Sequence, residues 1–355
     1  MGETIVVGSC NGIVHGVDKT TGKGHWRYDA RPDGGRPEFH GAPLIAGDLV
    51  VLSSDDRRPD GVGHVYAIEA SSGSVRWKTR IGRGSMTDVV RLDSRLYTVT
   101  LDNELVAVDL AKGKRAWSFR GAPPLDPDFL NVLATPAVSA DRVYFGGADG
   151  VVYALSADSG ALLWKSEIGS RIVTPLVLVS DTLCFGTRDG RLLLADQSHG
   201  NLKAEMKLGQ MPVGPPTIAE KSVLIYSAEG DALVLHSLDM SLAASRWSRR
   251  ARLGWSSPRP YLWRGSVLAG SEGGELAALA IEDGAVVWTR HLDGVIRGIG
   301  CDGDLLFVGT LKGVLFAVRP PVDKRAVTLP RQLGEASGGC MPAPDRALKA
   351  LTFRP

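Results

Sequence analysis

Apolar residues along this chain come in short runs separated by turns, and the runs are too brief for a helix of ordinary length. Arg142-Val143-Tyr144-Phe145 is a β-branched and aromatic run, Ala148-Asp149-Gly150 is a hairpin turn, and Val151-Val152-Tyr153-Ala154-Leu155 reads as the return strand. Asp158-Ser159-Gly160 then turns the chain into Ala161-Leu162-Leu163-Trp164-Lys165. A proline-led run, Thr135-Pro136-Ala137-Val138, precedes this unit and is echoed by Thr174-Pro175-Leu176-Val177 and Ala42-Pro43-Leu44-Ile45. The pattern predicts units of four antiparallel strands, each about 40 residues long, without a long amphipathic helix.

The units share a register. A glycine stands four residues before a tryptophan at Gly22 and Trp26, Gly73 and Trp77, Gly113 and Trp117, Gly160 and Trp164, and Gly284 and Trp288. Upstream lies a turn of the form Gly-x-x-(Asn/Asp)-Gly at Gly8 to Gly12, Gly146 to Gly150 and Gly186 to Gly190, with looser versions ending at Gly63, Asn103, Gly230, Gly274 and Gly313. Six residues beyond the turn comes an often acidic position: Asp18, Glu69, Asp109, Ser156, Asp196, His236, Ala280 and Arg319. Eight registers predict an all-β, eight-bladed β-propeller of four-stranded antiparallel blades, with seven blades as the alternative count.

Two units depart from the pattern. The fifth keeps Asp196 and Gly200 but has Ala204 at the tryptophan position. The sixth reads with His236 in the acidic slot, Met240 in the glycine slot and three extra residues before Trp247. Its arginines, Arg246, Arg249, Arg250 and Arg252, form the most basic stretch and read as a solvated hairpin. The propeller is expected over residues 1–319. The first unit starts at its second strand, and the tail 320–355 is expected to close the ring by strand addition.

Composition narrows the function classes. The 355 residues carry 41 basic and 39 acidic side chains, a formal charge of +2 without a concentrated basic footprint, so no nucleic-acid partner is expected. No run approaches the roughly 18 apolar residues that span a bilayer, so no membrane span is expected. The start, Met1-Gly2-Glu3-Thr4, carries no basic leader or lipobox. As written the chain is expected in the cytoplasm, and in the periplasm or at the outer membrane if a leader precedes it. The four cysteines, Cys10, Cys184, Cys301 and Cys340, are widely spaced and read as reduced, buried thiols. No metal-ligand spacing, phosphate-binding loop or dinucleotide motif occurs.

The phrase Ala107-Val108-Asp109-Leu110-Ala111-Lys112-Gly113-Lys114-Arg115-Ala116-Trp117 resembles the pyrroloquinoline-quinone-type propeller repeat. That repeat occurs in quinoprotein alcohol dehydrogenases and in non-enzymatic propellers of the BamB type, which are outer-membrane assembly lipoproteins. The resemblance spans roughly residues 5 to 319. It implies structural roles for Trp26, Trp77, Trp117, Trp164, Trp247 and Trp288 between blades, and for Gly22, Gly73, Gly113, Gly160 and Gly284 in tight turns. The carboxylates at Asp18, Asp109 and Asp196 are expected to accept hydrogen bonds from turn amides. A quinoprotein dehydrogenase would bring adjacent cysteines and a calcium site. This chain has no vicinal cysteines, so neither the quinone nor calcium, and no catalysis, is expected.

A binding site is expected where the loops from each tryptophan strand to the next proline-led strand gather around one mouth of the channel. The candidates there are His40, Arg83, Asp88, Asn131, Arg171, Met211, Trp255 and Arg297. Arginine, methionine and aromatic groups are enriched at protein-binding hot spots. The sequence therefore reads as a non-catalytic scaffold, expected to be monomeric, for a protein or peptide partner. The alternative is a small-ligand or quinone-binding propeller, either a sensor or a dehydrogenase-like enzyme.

Overall fold

The computed structural model describes residues 4–125, 134–230, 232–255 and 259–320, with 252–255 described at the backbone only. Among these described residues, thirty strands fall into eight antiparallel sheets, each a simple meander. Six sheets have four strands; the first (Thr4–Gly8, Ile13–Asp18, Gly24–Asp29) and the last (Ile296–Asp302, Leu305–Thr310, Leu315–Val318) have three among the described residues. This is the eight-bladed propeller that the repeat predicts. Whether the tail supplies a closing strand lies outside the described residues. An ion pair between Lys19 of the first blade and Asp302 of the last, at 2.8 Å, brings the two ends together.

The core is a set of packed seams rather than one interior. Seven hydrophobic clusters each join one blade to the next, from Val14 with Tyr66 between the first two to Leu276 with Phe316 between the last two. A middle strand is covered on both faces, so its residues are apolar without alternation: Leu49–Ser53 is buried at every position. The outer strand has neighbours on one side only and alternates in exposure, as in Arg115–Arg120.

The repeat phrase builds these seams. Trp117 lies opposite Ala107, and a β-bulge follows between Ala107 and Val108. The same bulge sits beside Trp26, Trp77, Trp164, Trp247 and Trp288. A bulge turns a side chain out of the regular pleat, and here each of five indoles reaches the next blade. The ring nitrogens of Trp26, Trp77, Trp117, Trp164 and Trp247 donate to the carbonyls of Ala70, Leu110, Ala157, Gln197 and Ile281 at 2.9–3.1 Å. The motif glycine of that next blade receives the ring. Gly113 has φ +65°, and a Cβ added there would lie 2.5 Å from Trp77. The acidic slot behaves as expected: Asp18 accepts from the amides of Thr20 and Thr21, Asp109 from Lys112, and Asp196 from Ser198, His199 and Asn201.

The sixth blade corrects the sequence register. Its acidic slot is Asp239, which accepts from the amides of Ser241, Ala243 and Ala244, and not His236. Trp247 follows Asp239 at the same spacing by which Trp117 follows Asp109, so no residues are inserted before it. The extra length lies in the hairpin Ser222–Glu229 with Ala232–Asp239, whose strands are eight residues each. Met240 is likewise outside the glycine slot, which falls at Ala243. The arginines belong to one long outer strand, Ser245–Trp255, where Arg249 donates to the Gly284 carbonyl at 2.7 Å and Arg250 pairs with Glu229 at 3.3 Å.

The fifth blade's departure is compensated. Ala204 lies opposite Leu194, where other blades place glycine, alanine or serine opposite tryptophan. Leu194 and Leu242 then fill the seam that the indole would occupy. Cys184 is free and buried there, its thiol pushed up to about 12 by burial, and Cys301 is also free. Cys10 is disulfide-bonded, so the expectation of reduced thiols does not hold for it.

Candidate functional site

Strands in a meander alternate in direction, so each connection between blades emerges at the same end as the turn between a blade's second and third strands. These two sets of loops form one face of the ring. On the first three blades they are locked together by backbone. Asp55, in the second blade's turn, pairs as an isolated bridge with Glu38 on one side and Gly84 on the other. Glu38 comes from the connection between blades one and two, and Gly84 from the next connection. The Asp56 amide donates to the Arg83 carbonyl at 2.7 Å. This weave requires glycine at Gly84, where φ is +91° and a Cβ would lie 2.0 Å from the Ser54 carbonyl oxygen.

His40 is held beside this clamp. Its neighbour Phe39 is buried in the first seam against Tyr66, with ring centroids 5.8 Å apart. The imidazole Nδ1 lies 2.6 Å from Asp55 Oδ1 and Nε2 lies 3.5 Å from Glu38 Oε2, while Arg57 donates to Glu38 at 2.9 Å. The Asp55 side chain is fully buried, and its Oδ2 has no hydrogen-bond partner among the described residues. Burial pushes the Asp55 carboxyl up, and the hydrogen bond from His40 pulls against it. The adjacent Asp56 is held well below the usual carboxylate range, first by its hydrogen bond from Arg58 and also by the amide of Arg36. The spacing of these residues in the chain gave no metal or catalytic signal; only the bridge between Glu38 and Asp55 brings them together.

The remaining candidates occupy distinct positions. Arg83 pairs with Asp102 at 2.8 Å and donates to the Leu101 carbonyl. Asp88 accepts the Ala42 amide at 2.6 Å, and its own amide donates to Thr135 Oγ1. Asp88 also takes an ion pair from Arg259 at 3.3 Å. Asp88 precedes the inner strand of the third blade (Val90–Leu92) and Arg259 that of the seventh (Tyr261–Trp263). In a ring of eight these blades are opposite, so the pair spans the channel. Sequence reading missed Arg259, and its position just before an inner strand was the available signal.

Arg171 is buried, with 4% exposure, and its carbonyl accepts from the Arg188 amide. Met211 is half-buried before the sixth blade's inner strand, and Arg297 is half-buried on the eighth blade's inner strand. Trp255 ends the long outer strand at the backbone level, opposite Leu233. Asn131 lies outside the described residues. His40, Arg83 and Asp88 therefore share one woven surface, with Gly41 packed against Thr87 and Asp88. Among the described residues, no helix is long and apolar enough to cross a membrane.

A family model described as outer membrane protein assembly factor BamB matches residues 11–241, 148–298 and 231–320. The BamB of Moranella endobia is 23% identical over 331 residues, covering 88% of this chain and 82% of that protein. The solved BamB structure from Moraxella catarrhalis superposes with a TM-score of 0.70 at 19% identity, over 87% of this chain and 92% of that one. The quinoprotein ethanol dehydrogenase of Pseudomonas putida is 26% identical over 121 residues, only 34% of this chain and 19% of the enzyme. With the family model running from the first blade through the last, the chain belongs to the outer membrane protein assembly factor BamB family of quinoprotein-type propellers.

Proposed function

We propose that this chain is a non-catalytic scaffold in outer-membrane protein assembly, binding a protein partner through the woven loop face. The observation that carries this reading is the family match in sequence along the whole ring, set against sequence matches to quinoprotein dehydrogenases that cover only a third of the chain. The use of the repeat residues supports it. The tryptophans and glycines that make the chain look like a quinone enzyme are occupied in joining blades, and the slot carboxylates in holding the amides of their own turns. The Arg259–Asp88 pair across the channel favours a partner lying over the face rather than one threading through. This reading moves the site of action to the cell envelope, away from the cytoplasm expected from the sequence as written.

Co-purification from envelope preparations tests it. The triple variant Arg83→Ala, Met211→Ala, Arg297→Ala should recover at least tenfold less outer-membrane assembly protein than the parent while still folding, as read by its circular dichroism and a cooperative thermal transition. Equal recovery would overturn the assignment of the face. Dye-linked alcohol oxidation by the full chain supplied with the quinone and calcium would overturn the non-catalytic reading.

A further inference from the structure

Of the loops on this face, the second blade's stands apart. Several other blades close this turn tightly, with an amide-to-carbonyl bond such as Gly150 to Gly147 or Gly190 to Thr187. In the second blade the chain instead runs from Ser53 to His64 between strands, and Asp55 is drawn in as a short central strand. We propose that Glu38, His40 and Asp55 form a site for one divalent transition-metal ion of the zinc class.

Three observations converge on it. First, the Asp55 side chain is fully buried, yet its Oδ2 has no hydrogen-bond donor among the described residues. Native proteins rarely leave a buried carboxylate oxygen without a partner, because its lost hydration is uncompensated. A cation beside it supplies the missing partner.

Second, one ligand atom from each of the three residues lies within 4.8 Å of the other two. Zinc holds nitrogen and oxygen ligands at about 2.0–2.2 Å in a tetrahedron, which places neighbouring ligand atoms roughly 3.3–3.6 Å apart. Binding would draw the three atoms from within 4.8 Å of one another to that separation. An ion held by both oxygens of Asp55 would replace the proton now shared between His40 Nδ1 and Asp55 Oδ1 and give Oδ2 its partner.

Third, the support is built. Glu38 and Asp55 are tied by two backbone hydrogen bonds of 2.9 Å, and Phe39 anchors the segment in the core. Arg57 holds the Glu38 carboxylate, in the manner of the outer partners that orient metal ligands. One imidazole with two carboxylates suits zinc, iron, nickel or copper, whereas calcium and magnesium take oxygen ligands. Three protein ligands would leave a coordination position open, and the His40 and Glu38 side chains are partly exposed.

Cobalt(II) is the probe, because its visible absorption reports coordination. After chelator treatment and dialysis, the full chain should bind one equivalent of cobalt(II) with a tetrahedral-type band that zinc(II) displaces. His40→Ala and Asp55→Asn should each weaken binding at least a hundredfold, and Glu38→Gln about tenfold. Zinc(II) should raise the thermal midpoint of the parent and leave that of His40→Ala unchanged. Asp55→Asn is isosteric; should it fail to fold, His40→Ala, on a partly exposed side chain, decides the matter. Absence of a stoichiometric band, binding that survives in His40→Ala, or a preference for calcium would each overturn the site.

Discussion

The acidic slot shows how aspartate serves four of the turns, at Asp18, Asp109, Asp196 and Asp239, and leaves a measurable trace. Backbone and hydroxyl donors from Thr21 and Thr20 lower the carboxyl pKa of Asp18, and the Ser241 hydroxyl, with the nearby amides, lowers that of Asp239. At Asp196 burial works upward, and the amides of His199, Asn201 and Ser198 outweigh it. A folded-state pKa below the unfolded value of about 3.9 contributes stability that is complete above that value and is lost as pH falls through the folded one. The triple variant Asp18→Asn, Asp196→Asn, Asp239→Asn should therefore show a shallower fall in thermal midpoint than the parent below about pH 4. Parallel curves would show that these carboxylates contribute nothing through their charge.

At the scale of the strand and turn, the unit of construction is a pair: a tryptophan on one blade and a glycine on the next. Replacing Gly113 by alanine places a side chain at φ +65°, costing about 1–2 kcal/mol. It also drives a Cβ into the Trp77 ring, for about 1–3 kcal/mol more. Trp77→Ala alone should cost about 3–5 kcal/mol. In that background only the backbone part of the Gly113→Ala cost remains, so urea unfolding should give a coupling of about 1–3 kcal/mol between the two sites. Additive effects would contradict the pairing. The chain contains its own version of the double change: the fifth blade has Ala204 for tryptophan, and the sixth has Ala243 in the glycine slot with the left-handed residue moved to Leu242, φ 58°.

These pairs explain what sequence reading could reach. The phrase from Ala107 to Trp117 is local and recurs in register, so blade number, strand order and seam residues were legible from spacing. The sixth blade was misread because its hairpin lengthens within a period-two pattern. Added strand residues look like strand wherever they fall, and only the hydrogen bonds of Asp239 fix the register. The loop face was legible as a location but not as a geometry. Asp55 meets His40 through a backbone bridge between separate blades, and Asp88 meets Arg259 at a separation of 171 residues. No local pattern encodes either contact. Arg171 shows the converse, since its sequence position made it a partner-binding candidate and the structure buries it.

For the whole molecule, the ring separates a woven face from a plain one. The opposite face carries the short turns between first and second strands, where Asp93, Ala140, Ser180 and Glu220 take left-handed conformations. On the loop face, the connections of the first three blades are tied by Asp55, Asp56 and Asp88, and the channel is spanned by Asp88 and Arg259. A face held this rigidly pays little ordering entropy on docking. The account assigns partner binding to that face alone. Site-specific photo-crosslinking in the envelope tests it most directly, with a photoreactive residue at Met211 on the loop face and another at Ser180 on the opposite face. The account predicts crosslinks to an outer-membrane assembly protein from position 211 and none from position 180. Crosslinks from position 180 alone, or equally from both, would contradict it.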